Sequence, residues 1–569
     1  MAEMILPGVY IEVRAEGLIV PGRVTVGNLG VLGTASNGPV GVPVIVGSYT
    51  EARERFGDFD AWGGGTNNEL TLVRALELAF GHGATTVFAL RVSSLAANQG
   101  AATYLLSSPG GDNVTLTAKN PGTWGNDLQV NVTAADQDAF VENETITDDG
   151  PFKLAFPPVV ASARNRVRRR IAATGETRSL GIIYDDDPAA PGPNQVKINR
   201  ADGVITFGTP LDDDDILTVS YVVDRASARK VTLRYRQSQE VYTIVSGDDL
   251  VSEINRSPGG SALVTAVAET NAGQLPDSSA GPNAFSNFGT GTNTPGANGE
   301  DADAGDYQVA LNLLLNEPVH IVVAAGQDDS FGDELNAHVQ SASTDTIKGD
   351  RIAVVGSRLG ATVDDLRGHT LDSDRLIFVA PGVKVTDTGL RPDGTISGDE
   401  VTLPGAYAAA AVAGLLAGLS PHVSLTNKVV SIGGLERRFT AAELTQLVQS
   451  RVFALEQRQG FRVVKGITTS TNSAFAQITT RRIVDFAKYG VRSAATPFIG
   501  RLNNERVRTA LHGTVNLFLG EMVNDEMLVS YELEVTATRE EERQGIVRVN
   551  MVLRPVFSID FIKVTMFLE

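Results

Sequence analysis

The chain has 569 residues, 42% hydrophobic and 20% charged, with 67 acidic against 48 basic side chains and a net charge of −19. That balance excludes a general nucleic-acid binder, which needs Lys and Arg concentrated against phosphates. The absence of cysteine excludes disulfides, thiolate metal sites and a cysteine nucleophile. A length of this order predicts about three to four domains.

The chain opens with PGVYIEV (7–13), where Val9, Ile11 and Val13 alternate with Tyr10, Glu12 and Arg14. This is the period of a strand with one apolar face, started by the breaker Pro7-Gly8. Such a strand needs a partner edge, because buried unpaired backbone groups are costly. The pattern leaves open whether that edge lies in this molecule or in another. Residues 1–30 read as an N-terminal arm, with Gly and Pro in 16–30 as its hinge. There is no basic n-region, so no signal peptide is expected and synthesis is expected in the cytoplasm.

Residues 31–95 have an α/β rhythm. Short strands in GVLGTASNGPVGVPVIVGS precede a polar helix, YTEARERFGDF. Asn67 and Asn68 are placed to cap a helix with the stripe Leu72, Leu76 and Phe80, ended by Gly81. A strand over 85–92 follows.

Between 96 and 305, Gly, Pro, Asn and Asp punctuate short alternating runs such as NVTLTA, DLQVNVTA and DILTVSYVV. These predict inserted all-β domains. The pieces 105–136 and 239–270 suit one module, with 140–236 as a further insertion. Residues 275–306 are rich in turn formers and read as a loop or linker.

From 306 to 538 the α/β pattern returns. A helix starting at Tyr307 leads to buried strands over 319–326, 351–357 and 375–382. PGAYAAAAVAGLLAGL (404–419) is too short to span a bilayer and reads as a buried helix with Pro404 in its first turn, so no membrane insertion is expected. A helix over 503–523 carries the stripe Val507, Leu511, Val515, Phe518 and Met522. Residues 539–569 form a C-terminal arm in which Val547, Val549, Met551 and Leu553 alternate with Arg548, Asn550 and Arg554.

The chemistry-bearing motifs are few. There is no GxxxxGK[ST], GxGxxG, HExxH or GxSxG, and GTGTNTPG (289–296) has the wrong spacing. The six histidines are scattered singly. The acidic runs 185–187, 212–215 and 300–306 read as solvated turns, and RNRVRRR (164–170) as a local ion-pair partner for that acidic surface. No catalytic residue, cofactor or metal is expected, and the chain is not expected to be an enzyme.

In family order, PGVYIEV, GVLGTASNGPVGVPVIV, EARERFGDF and LTLVRALELAFGHGATTVFALRV resemble the N-terminal signature of contractile tail sheath proteins. NPGTWGNDLQVNV resembles the start of that family's β insertion. VAPG, PGAYAAAAVAGLLAGL, LTNKVV and GFRVVKGITT resemble its core, and YGVRSAATPFIGRLNNERVRTALHGTVNLFLGEM and GIVRVNMVLRPV its end. The resemblance covers about 1–136 and 306–569; 140–236 has no such match. Sheaths of this family occur in bacteriophage tails, R-type bacteriocins and contractile injection systems.

The resemblance implies an α/β core, a mostly parallel sheet flanked by helices, built from N- and C-terminal segments. The all-β domains would be inserted in it and extended β-arms would lie at its ends. It implies a homo-oligomer, stacked helically around an inner tail tube protein with baseplate and terminator proteins at its ends, within a virion tail or contractile particle. Val9, Tyr10, Ile11, Val13, Val547, Val549, Met551 and Leu553 would then be arm residues that complete another subunit's sheet. Arg501, Arg506 and Arg508, near the start of the 503–523 helix, are candidates for contact with the tube, unless Glu505 and Glu521 neutralise them. A non-contractile surface or adhesin protein, or an enzyme with an unrecognised site, are the alternatives.

Overall fold

The computed structural model describes residues 27–64, 70–96, 99–147, 152–212, 214–299 and 301–567. They form a mixed α/β protein with two compact units, one of 40–94 and 299–567 with the first residues up to 35, the other of 36–39 and 95–298.

In the first unit an eight-stranded sheet runs in the order Pro43–Val46, Val87–Val92, Leu29–Thr34, Ile321–Ala324, Ile352–Gly356, Leu376–Ala380, Phe453–Gln457, Phe461–Val463. The interior pairs are parallel and the two edge pairs antiparallel. Successive side chains sort to opposite faces, as the period of a strand requires. Val31, Ile321, Val323, Val354 and Ile377 join one apolar cluster with the helices Leu72–Gly81 and Gly405–Ala417. Leu32, Val322, Val355 and Phe378 join a second with the helices Ala304–Leu313 and Gly332–Ala342. Covered on both faces, these strands are apolar runs rather than alternating ones.

Several expected boundaries move. Leu72–Gly81 starts after Thr71, and Asn67 and Asn68 lie outside the described residues. The helix placed at Tyr307 begins at Ala304, because Asp303 and Asp306 form a capping box around its first turn. Part of the acidic run 300–306 is therefore a helix cap. Pro404 is the residue before the helix Gly405–Ala417, not in its first turn. The small residues of that helix permit a close crossing: a Cβ on Gly414 would lie 2.2 Å from the Ala79 carbonyl oxygen.

In the second unit, strands Thr103–Ser108, Gly111–Ala118 and Val264–Ala268 form one sheet. Ser238–Ile244, Arg229–Tyr235, Gln129–Ala134 and Ser286–Asn287 form another. Both contribute to an apolar cluster containing Trp124, Leu233 and Phe288. Phe288 and the strand Ser286–Asn287 tie much of the expected 275–306 linker to this module. It also holds a helix, Gly247–Ile254, capped by Ser246, which the all-β expectation missed. A separate seven-stranded sheet between Ala139 and Val223 has its own cluster around Val167, Val196, Leu217 and Tyr221.

The expected insertion 140–236 is thus too long at its end. Arg229–Tyr235 pairs with Gln129–Ala134, and Arg229 sits opposite Ala134. The inserted sheet occupies the place of a hairpin turn.

Below the N-terminal ends of the core strands lies a buried charge network. Asp485, in the helix Ile478–Ala495, accepts two hydrogen bonds from Arg375 at 2.8 and 3.0 Å, and Arg481 donates to it at 2.7 Å. Arg375 also reaches Asp350 at 3.2 Å. Lys488 and Arg492 close on Asp350, whose side chain is fully buried. Burial raises the Asp350 carboxyl, but hydrogen bonds from Lys488 and Arg492 outweigh it and hold the group below the usual carboxylate range. Asp350 and Arg375 lie just before strands Ile352–Gly356 and Leu376–Ala380, so the network fastens the helix Ile478–Ala495 to the sheet. One partner removed from such a network leaves buried charge uncompensated.

Asp485→Ala should therefore cost about 3–5 kcal/mol of stability by denaturant unfolding, with Asp485→Asn retaining part of the loss. Replacing 135–228 by an Asn-Gly turn should leave the remaining module folded, since the flanking strands already face each other in register. Replacing 140–236 deletes the strand Arg229–Tyr235 and should unfold it; limited proteolysis and circular dichroism distinguish the two.

Candidate assembly surface

Glu505–Asn524 begins at Asn504, whose side chain accepts from the Val507 amide, as an N-cap should. Its buried stripe is Leu511, Val515, Phe518, Leu519 and Met522. It crosses Ile478–Ala495 at Gly490, where a Cβ would lie 1.8 Å from the Phe518 ring. Phe486 stacks on Phe518 with centroids 5.8 Å apart. The network and this crossing set the helix pair on the core.

A hairpin covers the other side of that helix. Leu528–Thr536 pairs antiparallel with Arg548–Pro555, from Thr536 opposite Arg548 to Leu528 opposite Pro555. Tyr531, Leu533 and Val535 from one strand, with Val547, Val549, Met551 and Leu553 from the other, pack on the helix cluster. Glu532, Glu534, Arg548, Asn550, Val552 and Arg554 face outward. Among the described residues, neither outer edge of this two-stranded sheet pairs with another strand. Each edge presents the unpaired N–H and C=O groups that template strand addition.

The structure therefore places Val547, Val549, Met551 and Leu553 inside a hairpin of their own chain, not in an extended arm. Their alternation is the signature of a strand with one covered face, and helix Glu505–Asn524 covers it. The start of the expected C-terminal arm, 539–545, is instead a helical turn, Arg539–Gln544. Thr538 and Glu541 form its capping box, and Gly545 ends it in the left-handed region at φ 74°.

Beyond Pro555 the chain takes up no regular secondary structure to Phe567. Phe557, Ile559, Phe561, Ile562, Val564, Met566 and Phe567 are between 62% and 88% exposed. Fully burying such side chains contributes about 1.5–3 kcal/mol each, so this apolar row is unsatisfied among the described residues. One polar anchor holds its base: Asp560 accepts from Thr426 at 3.3 Å and Gln477 at 3.2 Å, and pairs with Lys465 at 3.4 Å. The Lys465 ammonium also lies 5.4 Å over the Phe561 ring.

The three arginines are not equivalent. Arg508 is half-buried and donates to Asn503 and Glu542, both at 2.9 Å. It pins the helix to the turn of the hairpin, so its neutraliser is Glu542 rather than Glu505 or Glu521. Arg501 is exposed, donates to the Pro497 carbonyl at 3.0 Å and lies over the Phe498 ring. Arg506 is exposed in the helix's first turn. Val9, Tyr10, Ile11 and Val13 lie outside the described residues.

Sequence reasoning missed the Asp350–Arg375–Asp485 network. Its signal was present: Asp-Arg pairs at 350–351 and 374–375 directly before apolar strands, and Arg481 four residues before Asp485 on one helix face. The acidic runs were only partly solvated turns. Asp215 is buried and accepts from Arg169 at 2.5 Å, and Arg200 donates to Asp185 at 2.8 Å, so the ion-pair expectation for 164–170 holds at Arg169. His320 and His338 are singly placed, the first half-buried and the second buried. Burial first, then the Arg351 charge, lowers them to about 4 and about 3, which keeps both neutral near pH 7. Among the described residues no group of His, Asp and Glu could hold a metal ion, and no helix is long and apolar enough to cross a membrane.

Residues 300–469 match the phage tail sheath protein central domain, and 470–569 the phage tail sheath C-terminal domain. No curated protein matches the chain significantly. Among solved structures, the sheath tail protein of Desulfitobacterium hafniense is similar at 15% identity and a TM-score of 0.57, covering 97% of both chains. The sheath tail protein of Listeria innocua matches at 15% identity and 0.57, over 96% of this chain and 95% of that one. The helical sheath of the anti-feeding prophage in its contracted state covers 99% of both chains at 12% identity and a TM-score of 0.49. The fold is that of sheath tail proteins, and residues 300–569 carry the central and C-terminal domains of the phage tail sheath family.

Proposed function

We propose that this chain is a subunit of a contractile tail sheath, which polymerises helically around an inner tube and shortens to drive that tube through a target envelope. The observation that carries this reading is the pair of sheath-family domains over 300–569, joined to a hairpin and an apolar tail whose edges and side chains find no cover among the described residues. The copies are linked by strand addition. The hairpin Leu528–Pro555 is the acceptor. The donors are the 556–567 tail, whose side chains find their cover on another copy, and the N-terminal strand around Val9, Tyr10, Ile11 and Val13.

This assignment differs from the sequence expectation in one respect: Val547, Val549, Met551 and Leu553 serve the receiving sheet rather than the inserted strand. The physical advantage of such a link is its tolerance of movement. Main-chain hydrogen bonds contribute about 0.5–1.5 kcal/mol each and do not depend on how the bodies of two subunits are oriented. A few per arm keep copies connected while their bodies rearrange. The baseplate and a terminator bound the ends of the sleeve. Arg501 and Arg506 remain candidates for weak, releasable contact with the tube, whereas Arg508 is committed to Glu542.

Purified protein viewed by electron microscopy should show hollow helical tubes or stacked rings. Deleting 556–569, or 1–16, should leave a folded monomer with an unchanged circular dichroism spectrum that no longer polymerises. Tube formation undiminished in both deletions would contradict strand addition by the ends.

A further inference from the structure

The basic run 164–170 divides by face. Val167 and Arg169 are buried, while Arg166, Arg168 and Arg170 are exposed on the opposite side of strand Arg166–Arg170. Among the described residues none of these three forms an ion pair with a carboxylate, although the chain carries a net charge of −19.

The sheet opens beside them. Arg166–Arg170 pairs with Thr177–Tyr184 only from Thr177 to Leu180. From Gly181 to Tyr184 the second strand pairs instead with Gln195–Ile198. Where the two strands part they leave a cleft of about 350 Å3. Arg166, Arg168 and Ser179 line it from the outer face of the sheet, and Leu180, Ile182 and Tyr184, which turn toward the buried cluster, form its floor.

The polar groups are held in place. Asn165 is buried; its Nδ2 donates to the Val160 carbonyl and to the Tyr184 hydroxyl, both at 2.9 Å, and its Oδ1 accepts from the Val222 amide at 2.9 Å. The Tyr184 hydroxyl, already an acceptor, keeps its own hydrogen to donate. The Arg200 guanidinium lies 5.9 Å from the centroid of the same ring.

We propose that this cleft binds an acidic saccharide, a carboxylated sugar of a surface glycan. Arg166 and Arg168 would receive the carboxylate, as guanidinium forks do. Tyr184 and Ser179 would bond ring hydroxyls, and Leu180 and Ile182 would pack against the apolar side of the ring. The volume suits one or two sugar rings, at the low end of the roughly 300–1,000 Å3 of small-molecule sites. A bare phosphate would leave the floor and the hydroxyl donors unused. A nucleic acid needs a longer track of cations than this acidic chain offers.

Isothermal titration of the full-length protein with trigalacturonate and with 3′-sialyllactose tests this, against maltotriose and inorganic phosphate. At least one acidic sugar should bind, and maltotriose and phosphate should bind at least about tenfold more weakly. The double variant R166A/R168A should lose about tenfold or more in affinity, as the loss of charge-assisted bonds requires. R178A, whose arginine is paired with Glu176, should bind as the wild type does, with all variants melting alike. Failure of both acidic sugars to bind, equal binding of maltotriose or phosphate, or undiminished binding by R166A/R168A would overturn the proposal. So would a double variant that loses only self-association, because the cleft would then receive an acidic loop of a second copy.

Discussion

A β-strand edge is a row of backbone donors and acceptors that gain nothing unless something lies beside them. The hairpin Leu528–Pro555 has two such edges and no third strand among the described residues, and everything proposed for assembly depends on them. Two-stranded sheets are marginal alone; this one is secured because seven side chains of its inner face pack on helix Glu505–Asn524. It is a rigid template with vacant edges. Next to it the same chain carries a tail whose apolar side chains have no cover among the described residues.

That template is useful only if it moves with the body of the subunit. Three features see to this: the bidentate grip of Arg375 on Asp485, the closure of Lys488 and Arg492 on Asp350, and the insertion of the Phe518 ring against Gly490. The first two join the sheet to helix Ile478–Ala495, and the third joins that helix to the one bearing the hairpin. Buried ion pairs add little net stability over apolar packing, but their geometry is exacting. Here they fix a helix against strand ends, where loose packing would let the template drift. Asp560 does the same for the tail, fixing its base while the residues after it stay exposed.

Much of the core was legible because its signals are local. Apolar runs such as those at 352–356 and 376–380 announce strands covered on both faces, and the Ala-rich stretch at 405–417 announces a buried helix that others approach closely. What escaped depends on contacts distant in sequence. The pairing of Arg229–Tyr235 with Gln129–Ala134 spans the whole inserted sheet, and no local pattern reveals which of two β modules a strand joins. Asp303 reads as one more acidic loop residue until the helix it caps is seen.

The candidate surface was legible in character but not in role. The alternation of Val547, Val549, Met551 and Leu553 correctly marks a strand with one apolar face, yet a period of two is the same for a donated strand and a receiving one. Only the position of helix Glu505–Asn524 tells them apart. Assembly by strand addition requires that another copy fill the open hairpin edges, and amide hydrogen exchange, compared between monomer and assembled particle, reads this without knowledge of register. Strand addition predicts that the outward-facing amides of 528–536 and 548–555, and those of 556–567, become strongly protected on assembly; unchanged exchange in all three segments would contradict it.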